Sequence, residues 1–517
     1  MKGQTTRFRL SACVWCALLS SYAVLQADSK PLQRVLVDER DAEGDANGSE
    51  TKKPDVTGPL FITDVVKKRG AAVAKNLSKV TLPSGFPVFE AYSGYITVDE
   101  AFGSNMFFFL VKAKSDASNL PLTIWMEGGP GFSGLLAMFT KNGPVGISKD
   151  GVICARLDSF IDHTHVVYLD APVGGGFSFT NDMKNGFSKD LNDTSKDISE
   201  FFRQFLDVFS EYKTIDLYVG GESYGGRLAV GFAHYISENK HQEGSDAATQ
   251  LNLKGVVAGS PFLGPLLETI DSSEFLFSVG MLNGTSKILF HEAFENLTTE
   301  TNRTIQLFAF LRTVFQDYTK MSPTLFQRLT GYNFHGSVVH PRIPQEIQRY
   351  KEYVNTSDFK TRIHVGSDAV LRKQMLSVIF NMGMVDFFTN ITLMVQSVLK
   401  KYRVLIYGGQ LDTIFPAINM DRFYNSLEWE GSDDFKKERV DWYDDKDPDY
   451  LNGYVKKGGK VTYVLLVGAG HDPGFDAPKP THTLIGKFLT QQEIVKSLNS
   501  ADNSLKAGSS VTTELGD

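Results

Sequence analysis

Six short apolar runs recur along the chain, each closing on a glycine-rich or proline-containing loop: LPLTIWM (120–126), THVVYLD (164–170), TIDLYVGG (214–221), LKGVVAGS (253–260), YRVLIYGG (402–409) and KVTYVLLVGAGHD (460–472). They are short for helices, and they are apolar at successive rather than alternate positions. That pattern suits strands buried on both faces, as in a parallel sheet covered by helices. The expected fold class is α/β, with a mostly parallel central sheet and helices on both faces. In such sheets function gathers at the loops after the strands' carboxyl ends. FPVFEAYSGYITVD (86–99) and MFFFLVKA (106–113), rich in aromatic and β-branched residues, add two strands and a turn ahead of these runs.

A composition 42% hydrophobic and 22% charged over 517 residues supplies a large core. The formal net charge of −7 leaves no basic footprint for a nucleic acid. At the amino end, Lys2, Arg7 and Arg9 precede a mostly apolar stretch from Leu10 to Leu19 and a small-x-small pattern at Ser21-Tyr22-Ala23. This reads as a secretory signal peptide within residues 1–27. Residues 28–80 are expected to be a polar pro-segment or disordered region, with order beginning near residue 80. No later run approaches the roughly 20 uncharged apolar residues of a membrane-spanning helix, so no transmembrane segment is expected.

Between residues 262 and 375 the texture turns helical, with Ile305, Phe308, Leu311 and Phe315 at helical spacing. This segment reads as a cap inserted into a sheet domain whose parts run 81–261 and 376–490, ahead of a flexible tail at 491–517. Eight Asn-x-Ser/Thr sequons, at Asn47, Asn76, Asn192, Asn283, Asn296, Asn302, Asn355 and Asn390, fit a glycosylating compartment, the last six being the candidate sites. Of three cysteines, Cys13 and Cys16 leave with the signal peptide. Cys154 then has no partner for a disulfide and is expected to be a small buried hydrophobe.

The run at 214–221 continues as DLYVGGESYGGRLAVGFAHYI, a strand, a GxSxG turn and a helix. A nucleophile elbow needs that order, with small residues at Gly221 and Gly225 so that the turn closes without collision. Ser223 is therefore a candidate nucleophile. A serine of this kind needs a base and an orienting acid, which folds of this type supply later in the order Ser, Asp, His. Asp412 follows one later strand and His471 follows the next.

The blocks WMEGGPGFSGLLAMFTKNGP, VVYLDAPVGGGFSF, GGESYGG, VLIYGGQLD and GAGHDPGFDAP resemble, in order and over roughly residues 86–490, those of the serine carboxypeptidase family. The resemblance implies an α/β-hydrolase fold with an inserted cap. It also implies an acid-active exopeptidase acting on peptide or protein substrates in lysosome-like, vacuolar or extracellular settings. Carried over residue by residue, Ser223 matches the nucleophile, Asp412 the orienting acid and His471 the base, with the Gly129 and Tyr224 amides as the oxyanion hole. Gly128 and Glu222 match the reader of the substrate's terminal carboxylate. Trp125 matches a tryptophan of the first block and is expected at the substrate pocket.

Departures from the family pattern fall at this reader. Glu127 stands for the usual asparagine and Lys141 for the usual glutamate. Lys141 either pairs with the substrate carboxylate or neutralises Glu127 and Glu222, and a weaker or shifted acid optimum is expected. Asp472 stands for a methionine often found lining the departing residue's pocket, and either favours basic residues there or faces solvent. Phe132 and Phe415 replace two usual cysteines. An acyltransferase on the same scaffold, or a catalytically weak secreted binding protein, remain alternatives. No cofactor or metal is expected: His163 and His165 lack a carboxylate cluster, and Gly174–Gly176 lacks the Lys-Ser/Thr of a phosphate loop.

Overall fold

A computed structural model describes residues 58–114, 120–239, 251–315, 323–437 and 439–495. Its ten-stranded sheet is built from β1 (Ala91–Asp99), β2 (Ser104–Val111), β3 (Leu122–Met126), β6 (His165–Leu169), β7 (Leu217–Glu222), β8 (Leu253–Gly259), β9 (Arg403–Gly409), β10 (Val440–Tyr443), β11 (Leu451–Gly458) and β12 (Val461–Leu466). The spatial order is β1-β2-β6-β3-β7-β8-β9-β12-β11-β10. A separate hairpin joins β4 (Val145–Ile147) to β5 (Ile153–Ala155). The six apolar runs become the central strands β6, β3, β7, β8, β9 and β12, paired in parallel. Antiparallel strands flank them on both sides.

Alternate residues of each central strand enter different cores, which explains why the runs are apolar without interruption. Ile124, Val219, Val256 and Ile406 pack on one face of the sheet. Trp125, Tyr218, Val257 and Tyr407 pack on the other. Because these strands run parallel, their carboxyl ends share one edge of the sheet, and residues of the helical excursion between β8 and β9 line the cleft there together with the strand-end loops.

Order begins earlier than expected. The Leu60 N–H donates to His364 O (3.0 Å) and the Tyr95 N–H to Leu60 O (2.9 Å), fastening this stretch to β1. Helices Ile62–Arg69 and Ala71–Leu77 follow, burying Ile62, Val65, Ala74 and Leu77. The charged residues that make the segment look unstructured in sequence sit on its exposed side. The signal-peptide reading at 1–27, the segment 28–57 and the tail beyond residue 495 lie outside the described residues.

Residues 262–375 are largely helical, and helices continue past residue 375. Helix Met375–Val385 packs on helix Arg303–Thr313, with the Phe308 and Phe380 rings 5.3 Å apart. Helix Thr392–Lys401 instead buries Val395, Val398 and Leu399 against the sheet domain. Cys154, expected to be buried, is exposed on β5, at the outer edge of the small hairpin.

Candidate active site

β7 ends at Glu222 and the next helix begins at Tyr224, leaving Ser223 alone in the turn with φ +56°. A non-glycine residue at positive φ is strained, and here it is held by its surroundings. The Ser223 N–H donates to Gly259 O (2.8 Å), while the Gly226 and Phe262 N–H groups donate to Ser223 O (both 3.1 Å). A Cβ on Gly221 would lie 2.4 Å from Met126 O, and one on Gly225 2.1 Å from the same atom. Only glycines let the end of β7 and the helix start press this closely on the end of β3.

His471 follows β12 and Asp412 follows β9, the next strand of the sheet. His471 Nδ1 lies 2.9 Å from Asp412 Oδ2. An ionised carboxylate only accepts, so Nδ1 carries the proton and Nε2 is left to act as a base. Asp412 is itself fixed, its Oδ1 accepting from the Ile414 (2.8 Å) and Phe415 (3.0 Å) N–H groups. Burial pulls the His471 pKa down, but the Asp412 charge and hydrogen bond outweigh it and hold the imidazole above its ordinary value. Ser223 and His471 line one cleft of about 1380 Å³, part of it open to solvent. No hydrogen bond joins them here; such bonds often close only around substrate.

Beside Ser223, the loop after β3 brings Gly128 and Gly129 to the same point. A Cβ on Gly128 would lie 2.7 Å from Ser223 Cβ. Gly129 has φ +113° and also lines the cleft. Tyr224 is the first residue of its helix, so its amide has no intrahelical acceptor.

Next to this lies a buried charge cluster. Lys141 Nζ is 2.9 Å from Glu127 Oε2, 2.6 Å from Glu222 Oε2 and 2.7 Å from Asp472 Oδ1. The three protons of the ammonium thus meet three carboxylates. The Trp125 indole N–H donates to Glu127 Oε1 (3.0 Å) and the Tyr407 hydroxyl to Glu222 Oε1 (3.1 Å). For Glu127, burial outweighs the pull of Lys141, and with Glu222 adding repulsion its pKa rises to about 7. Glu222 is raised mainly by burial. For Asp472, burial is outweighed by Lys141 and His471, and its pKa is lowered. Burial opposes the Lys141 charge, but its three carboxylates hold its pKa well above the ordinary value.

Lys141 lies against Glu127 and Glu222 together with Asp472, whose partly exposed carboxylate turns onto the ammonium. Trp125, expected at the substrate pocket, is instead 0% exposed and lies behind Glu127, where it supports that carboxylate. His165 Nδ1 accepts from the Ala113 N–H, and the His163 ring packs on that of His482. Asn192, Asn283, Asn296, Asn302, Asn355 and Asn390 are all exposed.

Sequence reasoning missed Asp386. It accepts from Arg227 Nε (2.7 Å) and from the Tyr224 hydroxyl. Arg227 Nη2 also donates to Asp386 O (2.8 Å) and Thr389 O (2.9 Å). The cap is thereby tied to the helix that starts at the nucleophile. Nothing in MGMVDFFTN marks this aspartate; its role exists only through contacts distant in sequence.

The sheet order, the strained serine turn and the Asp–His pair at later strand ends define an α/β hydrolase. A family model described as serine carboxypeptidase matches residues 83–491, and the protein belongs to that family, which makes it a serine-type carboxypeptidase hydrolase by class. It is similar to a venom serine carboxypeptidase of Apis mellifera, 29% identical over 83% of this chain and 90% of that one. The probable serine carboxypeptidase CPVL of Homo sapiens is 28% identical over 84% and 90%. Vitellogenic carboxypeptidase of Aedes aegypti is 29% identical over 84% and 91%. The crystal structure of Kex1, a prohormone-processing carboxypeptidase from Saccharomyces cerevisiae, matches with a TM-score of 0.66 at 19% identity, over 81% of this chain and 96% of that one. At that identity the likeness concerns the fold.

Proposed function

We propose that this protein removes the C-terminal residue of peptides through an acyl-enzyme on Ser223. His471 Nε2 takes the Ser223 hydroxyl proton as Oγ attacks the scissile carbonyl carbon. The negative oxygen formed is met by the Gly129 and Tyr224 N–H groups. As the C–N bond breaks, His471 returns its proton to the departing amine, and water, activated by the same imidazole, releases the acyl group. Glu127, Gly128, Lys141 and Glu222 read the terminal carboxylate. Glu127, with its pKa near 7, is a hydrogen-bond donor when protonated, and Lys141 supplies the positive charge. The observation that carries the reading is the joining of the His471–Asp412 pair, the strained Ser223 and this buried ammonium in one cleft.

The leader-like residues 1–27, the exposed sequons and the venom relative support passage through the secretory pathway to a lysosome-like, vacuolar or extracellular destination. A fluorophosphonate probe should label the wild type at Ser223 and leave Ser223→Ala unlabelled. Mass spectrometry of digested peptides should show ladders shortened one residue at a time. An unlabelled wild type would refute the acyl-enzyme, and peptides left intact would refute the exopeptidase reading.

A further inference from the structure

Besides Lys141, the cleft is lined by Lys351 and Arg372, and Arg372 is in a different condition from Lys141. Arg372 lines it just ahead of helix Met375–Val385. Its backbone sits at φ +62°, and its N–H donates to Gly176 O (2.6 Å). The Gly176 N–H in turn donates to Gly131 O (3.0 Å), in the loop that carries Gly128 and Gly129. Arg372 is thus fastened to the loop that carries a proposed oxyanion donor. Its guanidinium stands 4.9 Å from the centre of the Phe132 ring, and a Cβ on Gly129 would lie 3.0 Å from the edge of that ring. One aromatic ring separates the guanidinium from the oxyanion glycine.

The side chain makes no ion pair or hydrogen bond among the described residues, and Nη1 is buried without an acceptor. Arg156 and Arg227, by contrast, both place N–H groups on protein oxygens. The carboxylates that line the cleft, Glu127, Glu222 and Asp472, are all gathered on Lys141. A partly desolvated guanidinium with unused donors is costly to keep and gains most from a carboxylate, which its planar fork matches. A carboxypeptidase substrate brings one carboxylate at its terminus, for the Lys141 cluster. A second has to come from a side chain.

Resting on the carboxypeptidase reading, we propose that Arg372 is a specificity-determining residue that pairs with an acidic side chain of the peptide next to the scissile bond. The favoured substrates are peptides with aspartate or glutamate in one of the last two positions. Basic residues there are disfavoured, because Asp472, the carboxylate that would attract them, is committed to Lys141.

The test uses three N-acylated dipeptides, Phe-Leu, Phe-Glu and Glu-Leu, with the wild type, Arg372→Gln and Arg372→Lys. A charge-assisted hydrogen bond is worth about 1.5–3 kcal/mol. Arg372→Gln should therefore lower kcat/KM about tenfold to a hundredfold on one acidic peptide, with Phe-Leu within about twofold of wild type. Which acidic peptide suffers identifies the position read, and Arg372→Lys should recover part of the loss. An equal loss on all three would assign Arg372 to the terminal carboxylate or to the fold, and no loss would leave it without a role; either overturns the proposal. Calorimetric binding of the same peptides to Ser223→Ala, with and without Arg372→Gln, keeps the two readings apart. If the wild type releases nothing, the carboxypeptidase reading fails, while acid-selective binding lost with Arg372 still upholds this one and its absence overturns it.

Discussion

Glu127 and Lys141 stand where the family resemblance leads one to expect an asparagine and a glutamate, so a carboxylate is added at one corner of the reader and a charge reversed at another. On the proposed reading, Glu127 donates to an incoming carboxylate when protonated, and when ionised it repels that carboxylate and competes for Lys141. Release of C-terminal residues should therefore fall as pH rises through about 7. The rising limb belongs to His471, which must lose its proton and is held above its ordinary value of 6.5. The expected kcat/KM profile is a bell centred near neutral, above the carboxylate range of about pH 4 to 5. Glu127→Gln keeps a donor but cannot titrate, so its falling limb should move to higher pH. A peak near pH 4 to 5, or a limb unmoved by the substitution, would contradict this. Stability follows the same group. Its folded pKa lies above the ordinary 4.5, so folding takes up a proton, and the contribution is complete below that value and lost as pH rises through about 7. Urea midpoints of Glu127→Gln at pH 5 and pH 8 should lack that part of the wild-type decline. The members of this cluster were legible in the sequence from their motif blocks, but the closure of Asp472 onto Lys141 was not. It is a contact between the loop after β12 and the end of helix Gly134–Thr140.

The helix starting at Tyr224 is fixed at the sheet by glycine contacts and at the cap by Arg227. That guanidinium is 0% exposed, lies 4.6 Å from the centre of the Phe262 ring, and has Asp386 as its carboxylate partner. Removing one member of a buried pair leaves an uncompensated charge, whereas replacing both with apolar residues often costs little. Asp386→Ala should lose about 3–5 kcal/mol, and Arg227→Met with Asp386→Leu should recover most of it. Guanidinium unfolding midpoints decide this, and equal stability of the two variants would contradict the role assigned to the pair. Strands were the most legible elements because a strand covered on both faces has no polar register to confuse the pattern. Cap helices were harder. In Arg303–Thr313 the buried face is Gln306, Leu307, Phe310 and Leu311, while Ile305 and Phe308, at the expected spacing, are only half-buried. The run LFAFL is apolar around most of the helix, so periodicity alone does not select the inward stripe. Residues 62–77 were missed because two helices of eight and seven residues bury too few side chains to show a period.

As a whole, the molecule holds its sheet between two cores, and the positions where the family pattern has cysteines are filled by aromatic contacts. Phe415 stacks on Phe262 with centroids 5.7 Å apart and lies 5.6 Å from the His471 ring, so it joins the loop that carries Asp412 to the base and to the cap side of the cleft. Phe132 meets the Arg372 guanidinium 4.9 Å from its ring centre. Cys154 is the one cysteine among the described residues and is exposed, so no disulfide staples either core among those residues. The architecture was legible because the apolar runs and the elbow state it directly; what replaces the cross-links was not, since a phenylalanine in sequence does not name its neighbour. Stability resting on packing has a clear signature. Losing a structural disulfide typically costs about 2–5 kcal/mol, so a thiol reductant would lower the unfolding midpoint of a chain that depended on one. Here the thermal midpoint should not move when reductant is added. Phe415→Ala, which empties a buried aromatic site, should lose about 3–5 kcal/mol. Calorimetry with and without reductant, on the wild type and on Phe415→Ala, checks both statements. A wild-type midpoint that falls in reductant, or a Phe415→Ala midpoint that stays in place, would show that packing at Phe415 does not carry the load that cross-links carry elsewhere.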